Sequence, residues 1–322
     1  MFLEIKNLKV TYKTVNGLST VLNNFELPLN SGDIVSIVGE SGSGKSTLGG
    51  AITRLLPPSG NESGEIIIDG KNILALNEME MTGMRGTTIF MIFQNPLNSL
   101  NPVKTVGFQL SEAVKIRSER NNENLTEEQI KNEIISSLTS VRLPDPEQIM
   151  RRYPHELSGG QVQRVVISMA LILKPKLLIA DEPTTALDVT IQAQVINLLK
   201  ELNKKIHMSI IFITHDLSLA YVISNKVMVM YAGRIMELNN TDDVVKKSMH
   251  PYTTALLKSV PVDYKGNSRL YYIPGAPPSF FNLPKGCKFN PRCDKVFEKC
   301  RVEEPTLLSL GSEGKVRCWL YE

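Results

Sequence analysis

Hydrophobic and polar positions alternate along the first thirty residues, with Leu3, Ile5, Leu8 and Val10 as the apolar members. Such alternation predicts a half-exposed antiparallel sheet, to which residues 64–70 add a strand and a tight turn. Wholly apolar runs predict strands that are buried on both faces, and they fall at residues 34–38, 177–180, 210–213 and 227–231. Together these patterns predict an α/β fold with a parallel core sheet.

Helical periodicity dominates the middle of the chain, from about residue 96 to residue 172. Thr126 and Gln129 form a capping-box pattern, and one face of the following helix carries Ile130, Ile134, Leu138 and Val141. The polar run 117–124 predicts a solvated linker. We therefore expect a helical subdomain over this part of the chain.

A phosphate-binding loop follows the first apolar run. It has the G-x-x-x-x-G-K-[ST] pattern and consists of Gly39, Glu40, Ser41, Gly42, Ser43, Gly44, Lys45, Ser46 and Thr47. Glycines let backbone N–H groups approach phosphate oxygens, and the helix predicted from Lys45 directs its positive end at the same anion. Lys45 is expected on the β/γ-phosphates and Ser46 on Mg²⁺. The alternative is a Gly/Ser-rich turn without a ligand.

Two acidic residues, Asp181 and Glu182, end the apolar run 177–180. Ligands of open α/β sheets bind at the carboxyl ends of the strands, where these side chains would emerge. Asp181 then fits a Mg²⁺ partner, through water or the Ser46 hydroxyl, and Glu182 fits the base that orients an attacking water. The structural alternative is that both acids cap the next helix.

A second glycine pair lies in the run Leu157, Ser158, Gly159, Gly160 and Gln161, which opens a helix-like stretch. This run resembles the signature motif of the ATP-binding cassette (ABC) transporter ATPases in every letter; the alternative is a surface turn. The resemblance implies a head-to-tail dimer, in which the signature of one subunit closes on the γ-phosphate held by the phosphate loop of the other. It also implies a P-loop NTPase cassette: a RecA-like core with an antiparallel β subdomain and a helical subdomain, over residues 1–245.

Four smaller motifs extend the resemblance. In the family, Tyr12 would stack on adenine, Gln94 would reach Mg²⁺ and the water, and His215 would contact the γ-phosphate as the switch histidine. The run 186–188, which ends in Asp188, matches the loop that crosses the dimer interface. Tyr12 taken alone is an ordinary strand residue, and a lone histidine at a strand end is usually structural. The implied reaction is hydrolysis of ATP, with Lys45, Gln94, Glu182 and His215 as catalytic residues.

The runs 93–102, 153–156 and 250–257 resemble the ATPases of oligopeptide, dipeptide and nickel importers. That branch implies two membrane permease subunits, a second ATPase subunit that is either identical or related, and an external solute-binding protein. Peptides are the first expectation for the solute, with nickel or oligosaccharides as alternatives.

Composition agrees with a globular protein: 42% of the 322 residues are hydrophobic and 21% are charged. The net charge of +3 is too small to predict a nucleic-acid partner. No apolar run has the length of about 18 residues that a membrane span needs, and Glu4, Lys6 and Lys9 interrupt any leader-like segment. We expect a peripheral protein on the cytoplasmic face of the membrane. ABC-type DNA-repair ATPases, which insert a long coiled coil, are disfavoured because only about 110 residues separate the phosphate loop from the signature.

All four cysteines, Cys287, Cys293, Cys300 and Cys318, lie in the last 36 residues, with spacing C-x5-C-x6-C-x17-C. Disulfides are not expected in a reducing cytoplasm, so a soft-metal site is predicted. The C-x2–4-C knuckle of structural zinc is absent, whereas longer gaps can surround an iron–sulfur cluster. The tails of peptide-importer ATPases resemble residues 274–293, which implies a 4Fe–4S cluster in a C-terminal extension over residues 246–322. Zinc, unliganded thiols and an iron–sulfur redox sensor on a cassette scaffold are the alternatives.

Overall fold

The computed structural model describes residues 1–185, 187–260, 271–311 and 314–322, without the side chains of residues 97 and 98. Its strands are β1 (Leu3–Thr14), β2 (Gly17–Leu29), β3 (Ile34–Val38), β4 (Gly60–Ile68), β5 (Lys71–Asn72), β6 (Ile89–Ile92), β7 (Leu177–Asp181), β8 (Ser209–Thr214), β9 (Lys226–Tyr231), β10 (Arg234–Asn240), β11 (Leu308–Leu310) and β12 (Gly314–Val316).

Its α-helices are α1 (Lys45–Thr53), α2 (Glu78–Met84), α3 (Val106–Asn121), α4 (Glu127–Ser140), α5 (Pro146–Arg151), α6 (Gly159–Leu173), α7 (Val189–Ile206), α8 (Leu217–Ile223), α9 (Thr241–Lys246), α10 (Pro251–Ser259) and α11 (Glu298–Val302). The chain divides into two compact units, Met1–Ala75 with Phe212–Glu322 and Leu76–Ile211. The predicted division at residue 245 and the helical subdomain over 96–172 stay predictions.

An antiparallel sheet in the first unit has the strand order β2-β1-β4-β5. β1 pairs with β2 on one side and with β4 on the other, and Leu3, Ile5, Leu8 and Val10 are buried. The alternation of the first thirty residues is therefore confirmed as an antiparallel sheet. The predicted turn follows β4, where Asp69 and Gly70 both have positive φ.

The second sheet of the first unit contains β3, which pairs in parallel with β9, and β10, which pairs antiparallel with β9 and β12. All five residues of β3 are buried, as its apolar run predicts. Beside this sheet the aromatic rings of Tyr231, Tyr252 and Phe289 pack together, with centroids of Tyr231 and Tyr252 4.7 Å apart. These rings join β9, α10 and the C-terminal segment in one hydrophobic cluster.

In the second unit β6 and β7 pair in parallel, and helices α3 to α6 pack on one another. The capping box at Thr126 and Gln129 is confirmed: the Thr126 hydroxyl accepts the Gln129 N–H, and the Gln129 side chain accepts the Thr126 N–H. Ile134 and Leu138 of α4 are buried.

The prediction of a solvated linker over 117–124 was wrong, because α3 continues to Asn121. Arg117 is buried there, and its guanidinium forms ion pairs with Glu123 and Glu133. Pairing with two carboxylates compensates for the loss of hydration, so a polar run can remain helical. Within the described ranges, no helix is long and apolar enough to cross a membrane.

Candidate functional site

The phosphate loop connects β3 to α1, and its glycines are required for different reasons. Gly42 and Gly44 have φ of +77° and +100°, the left-handed region that residues with a Cβ rarely adopt. A Cβ on Gly39 would lie 2.2 Å from the carbonyl oxygen of Met230, so β9 passes too close for any side chain. At Gly42 a Cβ would meet no atom within 4 Å, so backbone conformation rather than space favours glycine there.

Lys45 lies inside this loop rather than on its surface; only 5% of the residue is exposed. Its Nζ donates to the carbonyl oxygens of Gly39 and Glu40 at 2.7 and 3.0 Å and to Ser43 Oγ at 3.4 Å. The N–H of Gly233 donates to the Ser43 carbonyl at 2.9 Å. The Lys45 ammonium is therefore surrounded by the phosphate loop, whose backbone is itself hydrogen-bonded to Gly233. The next residue, Ser46, is exposed.

Tyr12 of β1 reaches the same end of the first unit. Its half-buried ring carries a hydroxyl that donates to Thr47 Oγ1 at 3.4 Å. Because of this hydrogen bond, the aromatic ring of Tyr12 lies beside the phosphate loop, which is the candidate nucleotide site. His215 follows β8, also in the first unit, and is exposed.

In the second unit, the acidic pair lies at the carboxyl end of β7, as predicted. Asp181 is buried, and Glu182 has φ of +47°, a conformation that is uncommon for a residue with a side chain and is frequent at functional sites. Glu182 Oε2 accepts hydrogen bonds from Gln94 Nε2 and from Thr185 Oγ1, both at 3.1 Å. The structure thus brings together two of the predicted residues, Gln94 and Glu182. Sequence reasoning missed Thr185, whose signal is a hydroxyl in the turn after the acidic pair.

The signature run begins α6, with Ser158 as the N-cap. The Ser158 hydroxyl accepts the Gln161 N–H at 3.3 Å, and Gln161 Oε1 accepts the Ser158 N–H at 3.0 Å, which completes a capping box. Gly159 and Gly160 lie half-exposed between them. The N-terminus of α6 is therefore fixed by its capping box, while its two glycines remain accessible.

Asp188 is the N-cap of α7, and its Oδ1 accepts the Ile191 N–H at 3.0 Å. Of the run that matches the dimer-interface loop, residue 186 lies outside the described residues. Asp188 itself is exposed.

Cys287 and Cys300 belong to one hydrophobic cluster of the first unit, against which Cys293 packs, and Cys318 lies near enough to Cys287 for their charges to interact. Cys287, Cys300 and Cys318 are buried and Cys293 is half-buried, and the Cys287 N–H donates to the Cys300 carbonyl at 2.9 Å. Burial raises the pKa of Cys287 to about 12 and that of Cys293 to about 11. Among the described residues no group of three or more His, Cys, Asp and Glu side chains is arranged to hold a metal ion. This arrangement does not support the expected iron–sulfur site.

Comparison with known proteins is consistent with this geometry. The family model described as ABC transporter matches residues 22–185, and the model described as the C-terminal region of oligopeptide/dipeptide transporters matches residues 236–300. The chain belongs to the ABC transporter family. Within this family it is an ATPase subunit, because the cassette of the family binds and hydrolyses ATP.

Similarity extends over the whole chain. It is 46% identical over 316 residues to the oligopeptide transport ATP-binding protein OppD of Escherichia coli, covering 98% of this chain and 91% of the relative. It is 43% identical over 319 residues to OppD of Haemophilus influenzae, covering 99% and 97%. The dipeptide transport ATP-binding protein DppD of Bacillus subtilis is 42% identical over 323 residues, covering 99% and 95%.

Solved structures confirm the ABC cassette fold. The dimeric, post-hydrolysis ATP-binding cassette MJ0796 bound to ADP and Pi has a TM-score of 0.66 at 29% identity, covering 74% of this chain and 98% of the other. CbiO1 of Clostridium perfringens, part of the ABC transporter complex cbiONQ, has a TM-score of 0.59 at 30% identity, covering 77% of this chain and 92% of the other. These neighbours leave about a quarter of this chain unmatched.

Proposed function

We propose that this ABC transporter ATPase powers the import of oligopeptides or dipeptides through a membrane permease. The observation that carries the proposal is the match of residues 236–300 to the C-terminal region of oligopeptide/dipeptide transporters, in a chain that also contains a complete phosphate loop. Full-length relatives named for oligopeptide and dipeptide transport support the same solute class.

The geometry of the phosphate loop supports the proposed nucleotide site. Lys45, already at the centre of the loop, turns its ammonium to the β/γ-phosphates, and the backbone N–H groups of residues 39–47 bind the phosphate oxygens. Ser46, Gln94 and Asp181 offer the hard oxygen donors that Mg²⁺ prefers. When bound, Mg²⁺ supplies positive charge that stabilises the transferring phosphoryl group.

Hydrolysis depends on an activated water, and Glu182 is the proposed base. Its carboxylate is oriented by Gln94 and Thr185, as a general base must be before it can take a proton from water. His215 is the proposed contact to the γ-phosphate. Ser158, Gly159, Gly160 and Gln161 of a second ATPase subunit complete the site, and Asp188 lies at the interface between the subunits.

Tyr12 is the proposed adenine contact, and its substitution gives the first testable prediction. Tyr12→Ala removes the aromatic face and should weaken ATP binding by about tenfold, because stacking of a base on an aromatic ring contributes about 1–3 kcal/mol. Tyr12→Phe keeps the face, loses only the bond to Thr47, and should bind within about twofold of the wild type. Titration of a fluorescent ATP analogue measures both affinities. Equal binding by the alanine variant would remove Tyr12 from the site.

The proposed assembly contains two permease subunits, this ATPase and a second ATPase subunit that is either identical or related. A solute-binding protein delivers the solute from outside, and the ATPase pair sits on the cytoplasmic face of the membrane. The dimeric cassette MJ0796 supports a paired arrangement of such chains.

The solute class is tested on the intact transporter in proteoliposomes with its binding protein. Labelled dipeptides and oligopeptides should accumulate in the compartment that contains this chain, and only when ATP is present in that compartment. Unlabelled peptides should compete with the labelled ones and lower this accumulation. Uptake of nickel or oligosaccharides without peptide uptake would instead establish one of the two alternatives. If the chain were instead an iron–sulfur redox sensor, neither solute uptake nor ATP hydrolysis would be expected with the permease present.

The arrangement of the described side chains does not support the iron–sulfur expectation for the four cysteines, and metal analysis tests that expectation directly. Protein purified without oxygen that contained about four iron and four sulfide per chain and absorbed broadly near 400 nm would establish a 4Fe–4S cluster despite this arrangement. In that case Cys293→Ser should lose the absorbance. Colourless protein with stoichiometric zinc would replace the cluster with a zinc site, and metal-free protein would leave four thiols.

A further inference from the structure

The side chain of Glu40, the second residue of the phosphate loop, is bound by the C-terminal part of the same chain. Arg292 Nη1 donates to Glu40 Oε2 at 2.6 Å and Nη2 donates to Glu40 Oε1 at 2.9 Å. This is the two-pronged geometry that makes Arg–carboxylate pairs stronger and more directional than single contacts. The pair joins residues that are 252 positions apart in the sequence.

Arg292 is fixed by other contacts before it reaches Glu40. Its Nε donates to the carbonyl oxygen of Pro274 at 2.9 Å, Nη2 to that of Ile273 at 3.2 Å, and Nη1 to the hydroxyl of Tyr231 at 3.2 Å. Only 4% of its side chain is exposed. Bonding to Glu40 raises the pKa of Arg292 above its usual range. The Arg292 guanidinium therefore stays positively charged, and its contacts fix its orientation toward Glu40 of the phosphate loop.

Tyr252 of α10 holds the backbone of the same residue. Its hydroxyl accepts the Glu40 N–H at 2.9 Å, and the ring is wholly buried against Tyr231 and Phe289. Burial raises the pKa of Tyr252 far above its ordinary value, so the hydroxyl stays neutral. Both the side chain and the backbone N–H of Glu40 are thus bound by residues that lie more than 200 positions downstream.

The third contact of Glu40 is with the catalytic side of the loop, because its carbonyl oxygen accepts from Lys45 Nζ at 3.0 Å. One residue therefore connects the C-terminal anchor to the lysine that is proposed to bind phosphate. Without Arg292, the Glu40 carboxylate would stand uncompensated in a loop that must bind a polyanion, and Coulomb repulsion at this range is strong in a partly buried site.

We infer that Arg292 is a positioning residue for ATP binding: it holds the phosphate loop through Glu40 and neutralises the Glu40 carboxylate. The C-terminal segment is then part of the ATP site of its own chain, independently of whatever its cysteines bind. The inference rests on the proposed function in that the phosphate loop is taken to bind ATP.

Arg292→Ala, Glu40→Gln and the double variant test this role in the full chain, with a fluorescent ATP analogue as the probe. Arg292→Ala should raise the Kd for ATP by about tenfold or more, since it leaves a charge unpaired. Glu40→Gln removes that charge, so the double variant should bind within about threefold of Glu40→Gln alone. Arg292→Lys keeps the positive charge but loses the two-pronged geometry, so its Kd for ATP should lie between those of Arg292→Ala and the wild type.

Lys288→Met is the matched control. Lys288 is another buried cation of the same segment, with 7% of its side chain exposed, and it pairs with Glu304 at 2.8 Å rather than with the phosphate loop. Lys288→Met should lower the thermal midpoint, as we also expect of Arg292→Ala, and should leave the Kd for ATP unchanged.

Three results would overturn the inference while wild-type protein still binds and hydrolyses ATP: unchanged affinity in Arg292→Ala, no recovery in the double variant, or equal weakening in Lys288→Met. The last two would mean that Arg292 only stabilises the C-terminal segment. If Arg292→Ala does not fold, Arg292→Lys and Glu40→Gln still measure the coupling. Wild-type protein that fails to bind ATP would contradict the proposed function itself, which separates the two failures.

Discussion

Glu182→Gln should abolish nearly all ATP hydrolysis while ATP binding stays intact. General-base catalysis contributes about 10²–10⁴-fold to such reactions, so the turnover rate should fall by at least about a hundredfold. The amide keeps the shape of the carboxylate and can still meet Gln94 and Thr185, which bond to Glu182 at 3.1 Å. Because hydrolysis no longer opens the closed state, the variant should accumulate as an ATP-bound dimer with its partner subunit.

Phosphate release from the assembled transporter measures turnover, and titration of a fluorescent ATP analogue measures binding. Glu128→Gln is the control, since Glu128 is an exposed residue in the first turn of α4; it should behave as the wild type. Turnover of Glu182→Gln within a few-fold of the wild type would assign the base to another residue.

Lys45→Met should remove ATP binding at working concentrations. The buried ammonium donates to two loop carbonyls and to Ser43 Oγ, and methionine replaces it with an uncharged chain of similar length. Loss of a charged phosphate contact should weaken affinity by about a hundredfold, or about 2.8 kcal/mol. Hydrolysis should fall in parallel, because the proposed role of Lys45 includes stabilising the transferred phosphoryl group.

Lys71→Met is the control for Lys45→Met, because Lys71 is exposed on β5. Equilibrium titration of both variants with ATP and with ADP separates a contact to the γ-phosphate from one to the shared phosphates. Wild-type affinity in Lys45→Met would contradict the proposed position of the phosphates.

Local patterns in the sequence predicted those parts of the molecule that depend on neighbouring residues. The apolar runs became β3, β7, β8 and β9, and the capping box at Thr126 formed as expected. The phosphate loop and the acidic pair lie at the carboxyl ends of predicted strands, and the signature run begins a predicted helix. These positions were predictable because the residues of such motifs themselves favour turns and helix caps. Family membership was equally readable from motifs in their order.

Contacts between distant residues were not predictable from pattern. The run 117–124 looks like a linker because its charges suggest solvent, yet Arg117 finds two carboxylates and the helix continues. The bond between Glu40 and Arg292 joins two residues that carry no mutual signal in a single sequence. The cysteine spacing predicted a metal site that the arrangement of the described side chains does not support.

The central claim is that ATP hydrolysis at this site drives solute across a membrane. The most direct measurement follows ATP hydrolysis and labelled-peptide uptake together, in proteoliposomes that contain the permease, this chain with its ATPase partner and the loaded binding protein. We expect both rates to rise when peptide is supplied and both to collapse in Glu182→Gln. Hydrolysis that ignores the peptide, or uptake that survives in Glu182→Gln, would contradict the account.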